Sequence, residues 1–163
     1  RRKKMYIVKN IQRIIFVMLL CGMLLASIPA RAAEVAVVDI VRVIDASSPG
    51  KAGQEYIDKV RAELDAELSS YVKGLGNSKE AASLTEQKRL ELARRFDQEF
   101  FYVLNILMKN LKEVAHGWLN NNKRGAKVIV AGGSVLAVSS GVDVSEDILR
   151  LFNEVKVDFT KGR

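Results

Sequence analysis

Cysteine is almost missing from this chain. The one in 163 residues is Cys21, so from residue 33 onward there is neither a disulfide framework nor thiol chemistry. Histidine is as scarce. His116 stands alone; it lacks the second histidine or cysteine of a metal site, and the nucleophile and orienting acid of a catalytic triad. It is read as structural or solvent-facing. The sequence holds no internal repeat, no low-complexity tract and no cluster of acid, base and nucleophile, so neither an enzyme nor a cofactor is expected. A charge excess is also missing once the chain is divided. The net charge of +7 arises from Arg1, Arg2, Lys3, Lys4, Lys9, Arg13 and Arg31, which no acid accompanies. Residues 33–163 carry 19 basic and 19 acidic side chains. The basic isoelectric point is therefore no argument for nucleic acid or for a charged membrane surface as partner.

What the first 32 residues do hold is a basic segment, an apolar run over 14–28 and the close Pro29-Ala30-Arg31-Ala32. These are the three regions of a secretory signal peptide, with cleavage expected between Ala32 and Ala33. The run has 15 residues, fewer than the roughly 20 that span a bilayer. The alternative is an uncleaved anchor. Residues 33–163 are then expected to be one domain of the periplasm, with a body over 33–48 and 125–155 and an arm over 49–124.

Residues 35–41, VAVVDIV, read as a strand covered on both faces. Asp39 interrupts it and is expected to be a paired structural carboxylate. Residues 42–46 can make a helical turn. Ser48-Pro49 is a helix start, with serine as N-cap and proline at the first helical position. Tyr56, Val60, Leu64, Leu68 and Tyr71 then recur at three and four spacing, one apolar stripe of a helix. Gly74 and Gly76 mark a tip. Beyond it Ser83-Leu84-Thr85-Glu86 reads as a capping box. Leu92, Phe96, Phe100, Val103, Leu107, Leu111, Val114 and Trp118 form the stripe of a return helix, with a possible kink at Gly117. The two stripes suit an antiparallel helical hairpin.

Residues 127–131 and 135–138 flank Gly132-Gly133-Ser134 and read as a β-hairpin. The glycines precede a strand, not a helix, which argues against a phosphate loop. A last helix is expected over 146–155, with Ser145 as N-cap, and a frayed tail from Lys156. An isolated hairpin is marginal in water, so the first strand must return to it. The expected fold is α+β: a small sheet body of N-terminal strand plus C-terminal hairpin, a long projecting helical arm and a short final helix.

Residues 33–57, AEVAVVDIVRVIDASSPGKAGQEYI, and 126–153, AKVIVAGGSVLAVSSGVDVSEDILRLFN, with the out-and-back arm between them, resemble the Skp/OmpH family of periplasmic chaperones. The resemblance implies a homotrimer whose strands form a central body and whose arms enclose unfolded outer-membrane proteins without ATP. The apolar strand and hairpin residues Val37, Ile40, Val128, Val130, Leu136 and Val138 become candidates for the body and for contact between protomers. Arms of the family are often strongly basic, whereas residues 53–117 here hold ten basic and eleven acidic side chains. The outgoing helix also reads as short.

A second stripe on the return helix, Phe101, Leu104, Met108, Ala115 and Leu119, lies roughly 100° from the first. It is either burial against the body or a client-facing surface, where adaptable methionine and aromatic groups hold varied sequences. Tyr102 falls off both stripes and is expected to be exposed. Phe101, Tyr102, Leu104 and Met108 are the client-contact candidates. The alternative to a holdase is a structural or adaptor protein of the cell envelope that uses the same trimeric arms on one folded partner.

Overall fold

A computed structural model describes residues 35–76 and 79–160; the leader and its expected cleavage site at Ala32 and Ala33 lie outside them. The order is β1 (Val35–Val38), α1 (Ile40–Ala46), α2 (Ser48–Leu75), α3 (Ala81–Asn121), β2 (Val128–Ala131) and α4 (Ser145–Phe152). The fold is α+β: a small sheet joined to a long helical pair.

The first strand is shorter than the run of β-branched residues suggests. Asp39 ends it by capping α1, its carboxylate accepting the backbone N–H of Arg42 at 3.0 Å. Ile40, Val41, Val43 and Ile44 are thereby helical, and Val43 is fully buried. The expected pairing of Asp39 takes this form, in a cap instead of a strand.

The expected β-hairpin does not form. β2 pairs with β1 in parallel, Val35 opposite Val128 through Val38 opposite Ala131, and the chain then leaves through a 3-10 turn at Gly132–Ser134. A Cβ on Gly132 would stand 3.3 Å from the carbonyl oxygen of Val38, so the chain turns close against the end of β1. Residues 135–138 make no strand. The second flank of β1 is taken instead by the segment before α4, with Val37 donating to Val142 and accepting from Val144, both at 2.9 Å. A parallel pair needs a crossover connection, and the helical pair is that connection.

α2 starts at a cap one residue earlier than expected. Ser47, fully buried, accepts from the Gly50 N–H at 3.0 Å and donates to the Ile44 carbonyl at 2.8 Å. α2 ends at Gly76, whose φ of 57° lies in the left-handed region that favours glycine. The return helix begins at Ala81, so Ser83 and Glu86 lie within it and no capping box closes its start. Gly117 introduces no break, since α3 is continuous from Ala81 to Asn121. At 1.5 Å per residue α3 is roughly 60 Å long and α2 about 40 Å.

Contacts along the pair fix its direction. Gly53 faces Val103 and Leu107, Tyr56 reaches Glu99, and Glu67 reaches Lys88 and Arg95. Rising numbers on one helix meet falling numbers on the other, so the helices are antiparallel. The stripes expected to form the seam do so at Val60, Leu64 and Leu92, which make a separate small core in the arm. The main core joins Val43, Leu107, Leu111, Trp118, Ile148 and Phe152 where α3 passes the sheet and α4.

α4 opens one residue early and differently from its expected cap. Ser145 is inside the helix, and its hydroxyl accepts the Asp39 N–H at 2.9 Å, tying α4 to the start of α1. Asp143 accepts the Ser145 N–H at 2.8 Å. Hydrogen bonds from Ser145 hold the Asp143 carboxyl below its ordinary range. The chain after α4 is not frayed against solvent: Phe159 is 4 % exposed.

Candidate functional site

The base of the arm carries the least conventional surface of the described residues. α1 lies beside the first turns of α2, and both face the middle of α3. Between them runs a groove of about 560 Å³ whose wall includes Ile44, Ile57, Leu104 and Met108. Val41 and Phe100 stand at its margin, each substantially exposed. Phe100 stacks near Phe96, ring centres 6.5 Å apart, and meets Phe101 edge-on at 6.0 Å. Large apolar side chains left in water at one place mark interaction surfaces more often than singly scattered ones do.

The second stripe of the return helix is split by this arrangement. Phe101 is 58 % exposed. Leu104 is half-buried in the groove wall. Met108 lines the groove and also packs on the main core, with Ala115 and Leu119 further along it. Tyr102 does not stand free as expected. It is half-buried against the main core, because α3 is covered on that side near the body. Phe100 departs from its stripe in the other direction: the seam closes over Val103 and leaves its ring outside.

The body candidates separate likewise. Val37 is buried, and Ile40 and Val130 are half-buried. Val128 and Val138 are exposed, and Leu136 is fully so. Val35 adds a fourth exposed apolar side chain. Leu136, Ala137 and Val138 thus stand in water, while Val135 is half-buried.

Charge on the arm is arranged in pairs. Glu67 on α2 takes Lys88 and Arg95 of α3, each at 2.8 Å, and Lys88 also reaches Glu91 at 2.9 Å. The Lys88 ammonium, then the Arg95 guanidinium, hold the Glu67 carboxyl below its ordinary range. Glu67, followed by Glu91, raises Lys88 above its own. At the other end of the molecule Arg124 bridges to Asp147 at 2.9 Å, and Arg42 pairs with Glu146. No group of three or more metal-ligating side chains gathers among the described residues. His116 is exposed. Among the described residues no helix is long and apolar enough to cross a membrane.

Three features were not found by sequence reasoning: Val41 at the groove margin, Gly53 in the seam, and the burial of Phe159. The first was hidden by reading residues 35–41 as one strand. The last had a signal, since Val155, Val157 and Phe159 alternate with Lys156 and Asp158. No family model matches the chain, and a search of curated proteins finds no relative.

Proposed function

We propose that this chain is an ATP-independent holdase of the cell envelope, exported to the periplasm, which sequesters unfolded outer-membrane β-barrel proteins between helical arms. The observation that carries the reading is the exposed aromatic and aliphatic patch of Phe100, Phe101 and Val41 at the base of a long two-helix arm. Unfolded barrel chains present alternating apolar residues and unpaired strand edges, and these aggregate when left free. A surface of apolar rings, without a charged or metal-bound centre, holds such chains by many weak contacts of low directionality. Nothing in that action needs catalysis, and the reading is of a binding protein, not an enzyme.

The same reading takes the protein as a homotrimer. Val35, Val128, Leu136 and Val138 leave apolar surface on the body uncovered, and among the described residues β2 has β1 on one side only. An unpaired strand edge beside apolar chain is a template for pairing with another copy. Three copies joined through this face would carry three arms around a common space.

The test is light scattering on the chain starting at Ala33, alone and with a urea-diluted outer-membrane barrel protein. The holdase reading requires a trimer mass and suppression of client scattering at near-stoichiometric amounts, for several unrelated barrel proteins and without ATP. A monomer that leaves client scattering unchanged refutes it. Saturable binding to one folded envelope protein, with no effect on unfolded clients, would instead establish the adaptor reading.

A further inference from the structure

The segment after α4 returns to the arm. Residues 155–160 belong to no helix or strand, yet Val155 and Val157 are half-buried and Phe159 is buried, while Lys156, Asp158 and Thr160 are exposed. That is the period-two pattern of a half-buried extended strand, laid on helices. The Phe159 ring lies 5.9 Å from the ring of Tyr56. The room for it comes from Gly53: a Cβ there would meet Val103 Cγ1 at 3.0 Å, Leu107 Cδ1 at 3.3 Å and Phe159 Cζ at 3.4 Å. A second hollow lies at the start of the segment. Beside Val155 an open groove of about 710 Å³ is walled by Val114, Trp118 and Leu151.

We propose that residues 155–160 are a removable strap, and that the slot at Gly53 and Tyr56 also receives extended client segments with the same alternation and an aromatic side chain. The strands of outer-membrane barrels alternate apolar and polar residues and carry aromatic girdles at both ends, so they are the partner whose chemistry the strap copies. Among the described residues the strap joins no strand ladder, which makes it the kind of element that opens locally before the helices do. Being tethered, it competes at an effective concentration on the order of millimolar. It therefore lowers the apparent affinity for an incoming segment in proportion to the fraction of time the slot is closed. The inference rests on the holdase reading for the identity of the client, not for the existence of the slot.

The experiment uses the full chain carrying Phe159→Ala and two fluorescein-labelled peptides, Val-Lys-Val-Asp-Phe-Thr and the same peptide with alanine for phenylalanine. The expected result is at least tenfold tighter binding of the first peptide to the variant than to the unaltered chain, with no gain for the second. Hydrogen exchange of the unaltered chain should show residues 155–160 opening faster than the α2 and α3 amides of the seam. No gain, an equal gain for both peptides, or loss of the helical circular dichroism signal in the variant overturns the proposal; the last would make Phe159 core and not strap. Client aggregation is scored on the same samples. Peptide gain without suppression of aggregation removes the holdase and leaves the slot, and suppression without peptide gain does the reverse.

Discussion

Three glycines within helices, given the same added methyl group, are expected to respond in three different ways. Gly117 has nothing within 4 Å of the position a Cβ would take. Gly117→Ala there gains the helix propensity difference alone, about 1 kcal/mol of added stability. Gly53 sits where α2, α3 and the strap converge, its added Cβ meeting three side-chain atoms at 3.0–3.4 Å. Overpacking of a well-filled site costs about 1–3 kcal/mol. Set against the same propensity gain, Gly53→Ala should fall between neutral and roughly 2 kcal/mol destabilising. Gly50 is the severe case. Its Cβ would lie 1.8 Å from the backbone oxygen of Ile44 and 3.0 Å from the Ser47 hydroxyl. A carbonyl cannot swing away as a side-chain methyl can, so α1 must shift against α2 and the Ser47 cap must open. Lost capping costs about 1 kcal/mol and the displaced packing about 1–3 more, so Gly50→Ala should destabilise by about 2–4 kcal/mol. Urea melts followed by far-ultraviolet circular dichroism, at one fixed protomer concentration, read all three. If Gly50→Ala stabilises as much as Gly117→Ala, the close approach of α1 to the foot of α2 is wrong; if Gly53→Ala does so, the slot for Phe159 is wrong.

Other expectations follow from single contacts. Ser47→Ala should cost about 1 kcal/mol in the same melts, whereas Ser83→Ala should stay within about 0.5 kcal/mol because no capping box forms. Phe152→Ala, which empties a fully buried site, should cost about 3–5 kcal/mol. Phe101→Ala should leave the melt within about 0.5 kcal/mol but weaken suppression of client aggregation; unchanged suppression would remove Phe101 from the client surface. The Glu67 pairing should be felt in acid. A carboxyl whose folded value is depressed contributes stability above its unfolded value and loses it as pH falls through the folded one. Arm stability should therefore drop below the ordinary carboxylate range more in the unaltered chain than in Glu67→Gln. Salt should shrink that difference because the Glu67 carboxylate and its Arg95 partner are partly exposed. Lys88, raised instead, keeps its contribution below the ordinary lysine range and loses it only in strong alkali.

The arm was legible in the sequence because its signal is periodic. Val60, Leu64, Leu92, Val103, Leu107, Leu111 and Trp118 sit at three and four spacing, and all are buried. The meeting of the first strand with residues 128–131 was legible for a different reason, namely that neither can stand alone. What failed was local chemistry decided by distant chain. Residues 35–41 hold five β-branched residues and one alanine around one aspartate, and Asp39 caps α1 while its own N–H is held by the distant Ser145 hydroxyl. Gly132-Gly133-Ser134 carries a hairpin signal, yet it forms a 3-10 turn close against the end of β1, and the strand-like pairing beside β1 goes to residues 142–144 instead. At the groove, the identity of the apolar residues could be read but not their exposure. Phe100 and Tyr102 exchange expected roles because the cover over α3 comes from α1, α4 and the strap, which lie far from them along the chain.

The parallel register of β1 on β2 has a consequence for how such a molecule can vary. Val35 meets Val128 across everything between them, so the ladder specifies only where the excursion departs and where it lands. Its distal stretch, with its own small core at Val60, Leu64 and Leu92, answers to no residue of the sheet. Equal numbers of turns removed from, or spliced into, both rods beyond Tyr56 and Glu99 would alter how far they extend without disturbing their footing. Reach and foundation are separately adjustable.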